Sequence, residues 1–232
     1  MVKSNADKRL NYKLNIWISI LIFILGTSSL IVSAFSKENE NFLLSFRYMT
    51  FNGTVFSTLV SLIVIALSFS KVKSEKAYKQ NILYYFRLSS AVTEIIIAVV
   101  IALSFLPTVP DNPNLLSYDS FNMHVIIPLL TVISFLLHPS PAEKTGALLH
   151  LSCAWLITIY SAVIMTLIVF GLIPESLIPY SFLDVHSMPV WYIITFGLFI
   201  YSFVYVLSYW LTGMQERICI VRSEKTKPVG SK

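Results

Sequence analysis

Charge is scarce in this chain. Only 12% of its 232 residues are Asp, Glu, Lys or Arg, against 56% apolar, and the mean hydropathy is +0.73. That balance lies outside the range of soluble domains and marks a polytopic membrane protein. Cysteine is scarcer still. Cys153 and Cys219 lack metal-type spacing, so neither a disulfide nor a zinc site is expected. The seven glycines are scattered and build no phosphate-cradling loop, and neither a G-x-S-x-G elbow nor an H-E-x-x-H pair occurs. No pair of interrupted helices in matching halves points to an inverted-repeat transporter. These absences speak against kinases, zincins and ordinary carriers, and no cofactor or metal is expected.

What the chain has in abundance is long apolar runs. Crossing a hydrocarbon core of about 30 Å takes roughly 20 mainly apolar residues. Six stretches qualify: about 15–35, 49–70, 88–106, 121–138, 148–172 and 189–212. The runs are continuous, where a barrel would alternate with period two, so helices are expected. The connections are short and leave nothing outside the membrane for a second domain. The sequence therefore predicts an all-α fold: one transmembrane domain over 1–232, a six-helix bundle followed by a polar tail at 213–232.

Orientation follows from the cations. Fifteen of the 17 Lys and Arg fall on one side if the spans are drawn as above, leaving Lys37 and Arg47 on the other. The positive-inside rule then makes both termini cytoplasmic and turns the first, third and fifth connections outward. The net charge of +5 is a topology signal and gives no reason to expect nucleic acid. The first apolar run is longer than the 7–15 residues of a signal core, so it is read as a retained helix.

Polar residues inside the spans mark the candidate chemistry. The second span opens with hydroxyls: Thr50, Thr54, Ser57 and Ser61 recur at i, i+4, i+7 and i+11, the small-residue face on which membrane helices pack closely. The second and fourth spans both enter from the outer side. Thr50 lies about one residue into the second and His124 about three into the fourth, so a rise of 1.5 Å per residue puts them at matching depth. A Thr hydroxyl is a poor nucleophile until a base takes its proton, and imidazole is the usual base at neutral pH. An alternative reading has the hydroxyl stripe purely for packing and His124 hydrogen-bonded only for structure.

Glu94 is the one carboxyl inside a span, where an ionised side chain costs roughly 2.5–3.5 kcal/mol on insertion scales. It should be protonated or paired, and should face inward, either as a proton carrier or group orienting a polar site, or as a neutral Glu bonded to a neighbouring helix. The outer connection "IPESLIPYSFLDVHSMP" presents Tyr180, Asp184 and His186 near the interface. Tyr180 there also fits an aromatic-belt anchor, and two ligand-type residues at i, i+2 make no metal site. His138 and His150 flank the short connection at 139–149 and are expected to be structural.

Six spans, "RYMTF" opening the second, "HVIIP" opening the fourth and "PYSFLDV" before the sixth together resemble the androgen-induced-gene family of intramembrane threonine hydrolases, in particular its bacterial branch. The likeness covers roughly residues 14–212. The chain departs from that branch at one point: Ile178 precedes Pro179 where the family pattern has Tyr. The resemblance implies a catalytic Thr at Thr50 and a catalytic His at His124. In the animal members the activity is hydrolysis of esters between a fatty acid and a hydroxy fatty acid.

The expectation is therefore an intramembrane lipid-ester hydrolase in a bacterial cell membrane. Asn52, Asn122, Tyr48 and Tyr180 are candidate oxyanion donors, Asp119, Asp184 and Glu94 candidate groups to orient His124, and Thr54 lines or packs the pocket. Two alternatives stand beside it: an acyltransferase using the same pair, and a non-catalytic lipid- or ion-handling protein centred on Glu94.

Overall fold

The computed structural model describes residues 2–35, 42–69, 77–104, 117–138, 146–180, 184 and 188–225. His186, Lys37, most of the third connection and the end of the tail lie outside them. Among the described residues all regular structure is helical: α1 (Val2–Ala34), a 3₁₀ turn (Phe42–Arg47), α2 (Met49–Phe69), α3 (Ala77–Ser104), α4 (Tyr118–Phe121), a π segment (Asn122–Ile126), α5 (Ile127–Leu136), α6 (Ala147–Ser152), α7 (Trp155–Val169), a 3₁₀ turn (Glu175–Leu177) and α8 (Val190–Lys225). Backbone groups in lipid must pair within the segment, and helices let them; the one described span with an internal proline, Pro128, adjusts its ladder around it.

Five of these helices, counting α4 through α5 as one, are long and apolar enough to cross a membrane. The chain is an integral, multi-pass membrane protein.

Several expected boundaries shift. The helices α1, α3 and α8 extend past their apolar runs, so the helix expected to stop at 212 continues through Gly213 to Lys225. The stretch expected as one span over 148–172 is broken at Cys153–Ala154, and α7 alone has 15 residues. The cause is on the neighbouring helix. Tyr85 Oη donates to the Ser152 carbonyl (2.9 Å) and Ser89 Oγ to the Cys153 carbonyl (3.2 Å). Side chains inserted into a helical ladder divert its acceptors and bend it.

In the middle of the bundle runs α3. Its Tyr84, Leu88, Ala91, Val92 and Ile96 are buried against Phe135 of α5, Cys153 and Ala154, and Val204 and Leu211 of α8. Arg87 corrects the cation count. The sequence reading placed it on the second connection, but it lies within the apolar stretch Ile82–Leu103 of α3 and is 4% exposed.

Lipid tails are as apolar as leucine, so helices here associate through close packing and polar contacts. α1 turns Asn15, Ser19, Ile22, Gly26 and Ser29 inward, a spacing of alternating four and three residues, while Trp17, Leu21, Ile24 and Ile31 face outward. The hydroxyl stripe on α2 is buried at Thr50, Thr54, Ser57 and Ser61. Its exposed face carries Leu59, Leu62 and Ile63.

Candidate functional site

Thr50 is the second residue of α2, where the first backbone N–H groups have no partner within the helix. The sequence supplies no Ser, Thr, Asp or Asn at the cap position, which Tyr48 occupies. Asn52 ties the preceding turn to the helix, with Nδ2 donating to the carbonyls of Phe46 (2.7 Å) and Tyr48 (2.8 Å). Two phenols complete the end. Tyr160 of α7 donates to the Arg47 carbonyl and its oxygen is hydrogen-bonded with the Met49 backbone. The Tyr180 oxygen is hydrogen-bonded with the Thr50 side chain and with the backbone of Met49 and Thr50. Burial pushes the Tyr180 phenol above its ordinary value, and those hydrogen bonds work against the shift. Arg47 adds a cation beside this cluster, donating from Nη2 to Tyr48 Oη (2.8 Å) with its guanidinium 4.8 Å from the Tyr48 ring centre.

Thr50, Met49, Tyr160 and Tyr180 form one polar part of the wall of a cavity of about 260 Å³. The rest is mostly apolar, with Ile96, Ile97 and Val100 from α3, Ile157 and Met165 from α7, and Ile193, Phe196 and Ile200 from α8. Such a chamber fits a hydrocarbon chain whose polar group meets Thr50.

His124 sits in the π segment. Pro128, four residues on, has no N–H for the His124 carbonyl and its ring would strike that carbonyl in a regular α-helix. The ladder widens instead, and the Ile127 N–H reaches the Asn122 carbonyl five residues back. π segments of this kind recur at functional sites. The His124 ring is half-buried, its Nδ1 3.1 Å from Ser120 Oγ. Asp119 acts electrostatically on the ring, and its own carboxylate accepts from Ser117 Oγ (2.7 Å). Asn122 is buried in the same segment.

The structure brings Thr50 and Tyr180 together, and His124 with Ser120 and Asp119. No hydrogen bond joins Thr50 to His124, and the described residues lining the 260 Å³ cavity do not include His124. The π segment does pack against α2. Asp184 is half-buried, its carbonyl accepting from the Met188 N–H (3.1 Å). Thr54 is fully buried on α2.

Glu94 is fully buried and faces α2, where Ser57 Oγ donates to its Oε1 at 2.6 Å and also meets Ser90 Oγ at 2.8 Å. A second polar cluster lies two turns away along α3. Arg87 donates from Nη1 to His138 Nδ1 (3.0 Å) and from Nη2 to Asn15 Oδ1 (2.5 Å) and to Ser134 Oγ, which itself donates to Asn15 Oδ1 (3.0 Å). His138 is thereby held as the tautomer with a lone pair on Nδ1. Burial and the adjacent guanidinium push it down to about 3, so it stays neutral. The His150 ring lies edge-on to Tyr205 and Tyr209.

Sequence reasoning passed over Arg87, Tyr160 and Asn15. One signal was present: Arg87, Ser90 and Glu94 fall at i, i+3 and i+7, one face of a single helix. Among the described residues no three His, Cys, Asp or Glu side chains converge on a metal position. Comparison with protein-family models, with curated proteins and with solved structures finds no match to this chain.

Proposed function

We propose that this protein is an intramembrane lipid-ester hydrolase in which Thr50 is the nucleophile and His124 the base, in keeping with the family its motifs resemble. The observation that carries the reading is the position of the Thr50 hydroxyl on the wall of a chain-sized apolar cavity. An acyl chain would lie along α3, α7 and α8 while its ester carbonyl meets α2.

The chemistry divides between named atoms. Thr50 Oγ1 attacks the carbonyl carbon as its proton passes to the imidazole of His124. With Nδ1 bearing its hydrogen toward Ser120, Nε2 is the ring nitrogen that accepts it. The same proton then goes to the leaving alkoxide, and a water, deprotonated in turn by His124, cleaves the acyl-threonine and restores both groups. General-base assistance of this type typically contributes about 10²–10⁴-fold. Thr50 and His124 must come to hydrogen-bond reach, about 2.6–3.2 Å, in the substrate complex, and catalytic hydrogen bonds commonly tighten only there. Tyr180, hydrogen-bonded with the Thr50 side chain, is the phenol this reading assigns to the developing oxyanion, since the single O–H of Tyr160 is already given to the Arg47 carbonyl.

The topology that accompanies this reading has six spans, with the bent segment Ala147–Val169 as the fifth in order, and both termini cytoplasmic in a bacterial cell membrane. Removing Arg87 from the cation count leaves Lys37 and Arg47 as the two cations of the other side, so the bias persists.

Purified protein treated with a fluorophosphonate probe and assayed on lipid esters tests the mechanism. Labelling and turnover should be lost in Thr50→Ala, and turnover in His124→Ala. Undiminished turnover in both variants eliminates the reading.

A further inference from the structure

Two buried ionisable side chains take no part in the ester chemistry. Arg87 and Glu94 share one face of α3, seven residues and about 10.5 Å apart along the axis, and Ser90 stands between them. Glu94 Oε1 accepts from Ser57 Oγ, and Ser57 Oγ meets Ser90 Oγ, at 2.6 and 2.8 Å. Glu94 Oε2 is buried with no hydrogen-bond partner.

Ser57, Ser90 and Arg87 then open onto a second, much smaller cavity of about 10 Å³, whose wall also includes Thr131 and Ser134 of α5. That is the space of one water, which needs two to four polar partners. The wall supplies them, and Thr131 Oγ1 is buried and otherwise unpartnered. A water placed there would link Ser90 to Arg87, and Arg87 reaches His138 just past the end of α5.

We propose that Glu94 is a proton-binding site inside the bundle, exchanging its proton through Ser57, Ser90 and one water toward the end of the molecule where α3 begins and α5 ends. In the transfer, the Ser57 hydroxyl turns from Glu94 Oε1 to Ser90 Oγ, and the carboxyl proton, then on Oε1, passes to Ser57 Oγ as the Ser57 proton passes to Ser90 Oγ and the Ser90 proton to the water. The water gives its extra proton to solvent water at that end, because the Arg87 guanidinium has no lone pair to accept it, and protonation of Glu94 runs the same steps in reverse. Arg87 keeps its charge throughout, so the seam is cationic when Glu94 is protonated and neutral when it is ionised. Around the seam, α2 and α5 contain no charged residue, nor does α1 between Leu14 and Ala34. The titratable neighbours are His138, bonded to Arg87, and His124, bonded to Ser120. Carboxyl chains of this kind carry protons in membrane proteins. The inference does not rest on the ester reading.

Infrared spectroscopy of the reconstituted full chain tests it. The expected result is a protonated-carboxyl C=O band that disappears in Glu94→Gln and shifts promptly when the wild type is transferred to D₂O. The shift should be several-fold slower in Ser90→Ala, which removes one oxygen of the chain, and in Thr131→Leu, which fills the small cavity. Absence of a Glu94 band, a band that does not shift in the wild type, or unchanged exchange in both variants overturns the proposal. The wild type and Ser90→Ala suffice if Thr131→Leu does not fold.

Discussion

Gly26 of α1 lies directly against Thr58 of α2: a Cβ placed on Gly26 would stand 2.1 Å from Thr58 Oγ1. The two helices meet there because position 26 has no side chain. Close approach of this kind gives membrane helices their packing attraction. Gly26→Ala must therefore push α2 away or turn Thr58 aside, at about 1–3 kcal/mol. Thr58→Ala should rescue it, since the atom in conflict is the Thr58 hydroxyl. Unfolding of the single and double variants in mixed micelles measures both, and a Gly26→Ala protein as stable as wild type contradicts this contact.

Gln215 of α8 donates to the carbonyls of Phe135 (3.3 Å) and His138 (2.6 Å) at the end of α5. The Phe135 carbonyl also accepts from the His138 N–H (3.0 Å), whereas the His138 carbonyl lies past the helix end. Gln215 is fully buried, so Gln215→Leu keeps the packing, takes the Gln215 donor from the His138 carbonyl and leaves the Phe135 carbonyl with only the His138 N–H. The expected loss is about 1–3 kcal/mol. Gln215→Glu should be at least as damaging, since it offers a second acceptor or a buried charge where donors are needed. The same micelle unfolding ranks the two variants.

The sequence was legible where a pattern repeats along one segment. Apolar run lengths located the long helices, and the spacing of Thr50, Thr54, Ser57 and Ser61 identified the face of α2 that is buried. It was less legible where partners come from distant segments. Arg87 reads as a loop cation because a charge inside a span is costly, and only Asn15, Ser134 and His138, from other parts of the chain, make its burial tolerable. The break at Cys153 depends on Tyr85 and Ser89 of α3, and nothing in "LSCAW" announces it. Tyr160 was invisible as a site residue for a similar reason, its apolar surroundings suiting any span. Pro128, by contrast, stands in plain view four residues after His124, and the π segment is its local consequence.

Tyr180 gives an alkaline signature. Its folded-state value is raised above the ordinary tyrosine value near 10. A raised value means that the stability it contributes is fully present below the unfolded-state value and is lost as pH rises through the folded one. Wild-type stability should therefore fall above about pH 10, and part of that fall should vanish in Tyr180→Phe. Identical alkaline slopes in the two proteins contradict the buried environment of this phenol.

Arg87 offers a sharper contrast between substitutions. Its fork serves Asn15, Ser134 and His138 from two nitrogens, tying α1 and the end of α5 to α3. Lysine keeps the charge but concentrates it on one strongly hydrated nitrogen that cannot span those acceptors. Methionine makes none of these bonds, though Ser134 Oγ still donates to Asn15 Oδ1, and it no longer requires a cation to stay out of water. Replacing buried charges by apolar groups of similar volume is often neutral or stabilising, so Arg87→Lys should destabilise more than Arg87→Met, by about 1–3 kcal/mol. The opposite order carries its own meaning. Methionine would then be worse because it deprives Glu94 of the cation seven residues away on its face of α3, and restoring stability in Arg87→Met by adding Glu94→Gln would show that the two groups act on each other across Ser90 and Ser57.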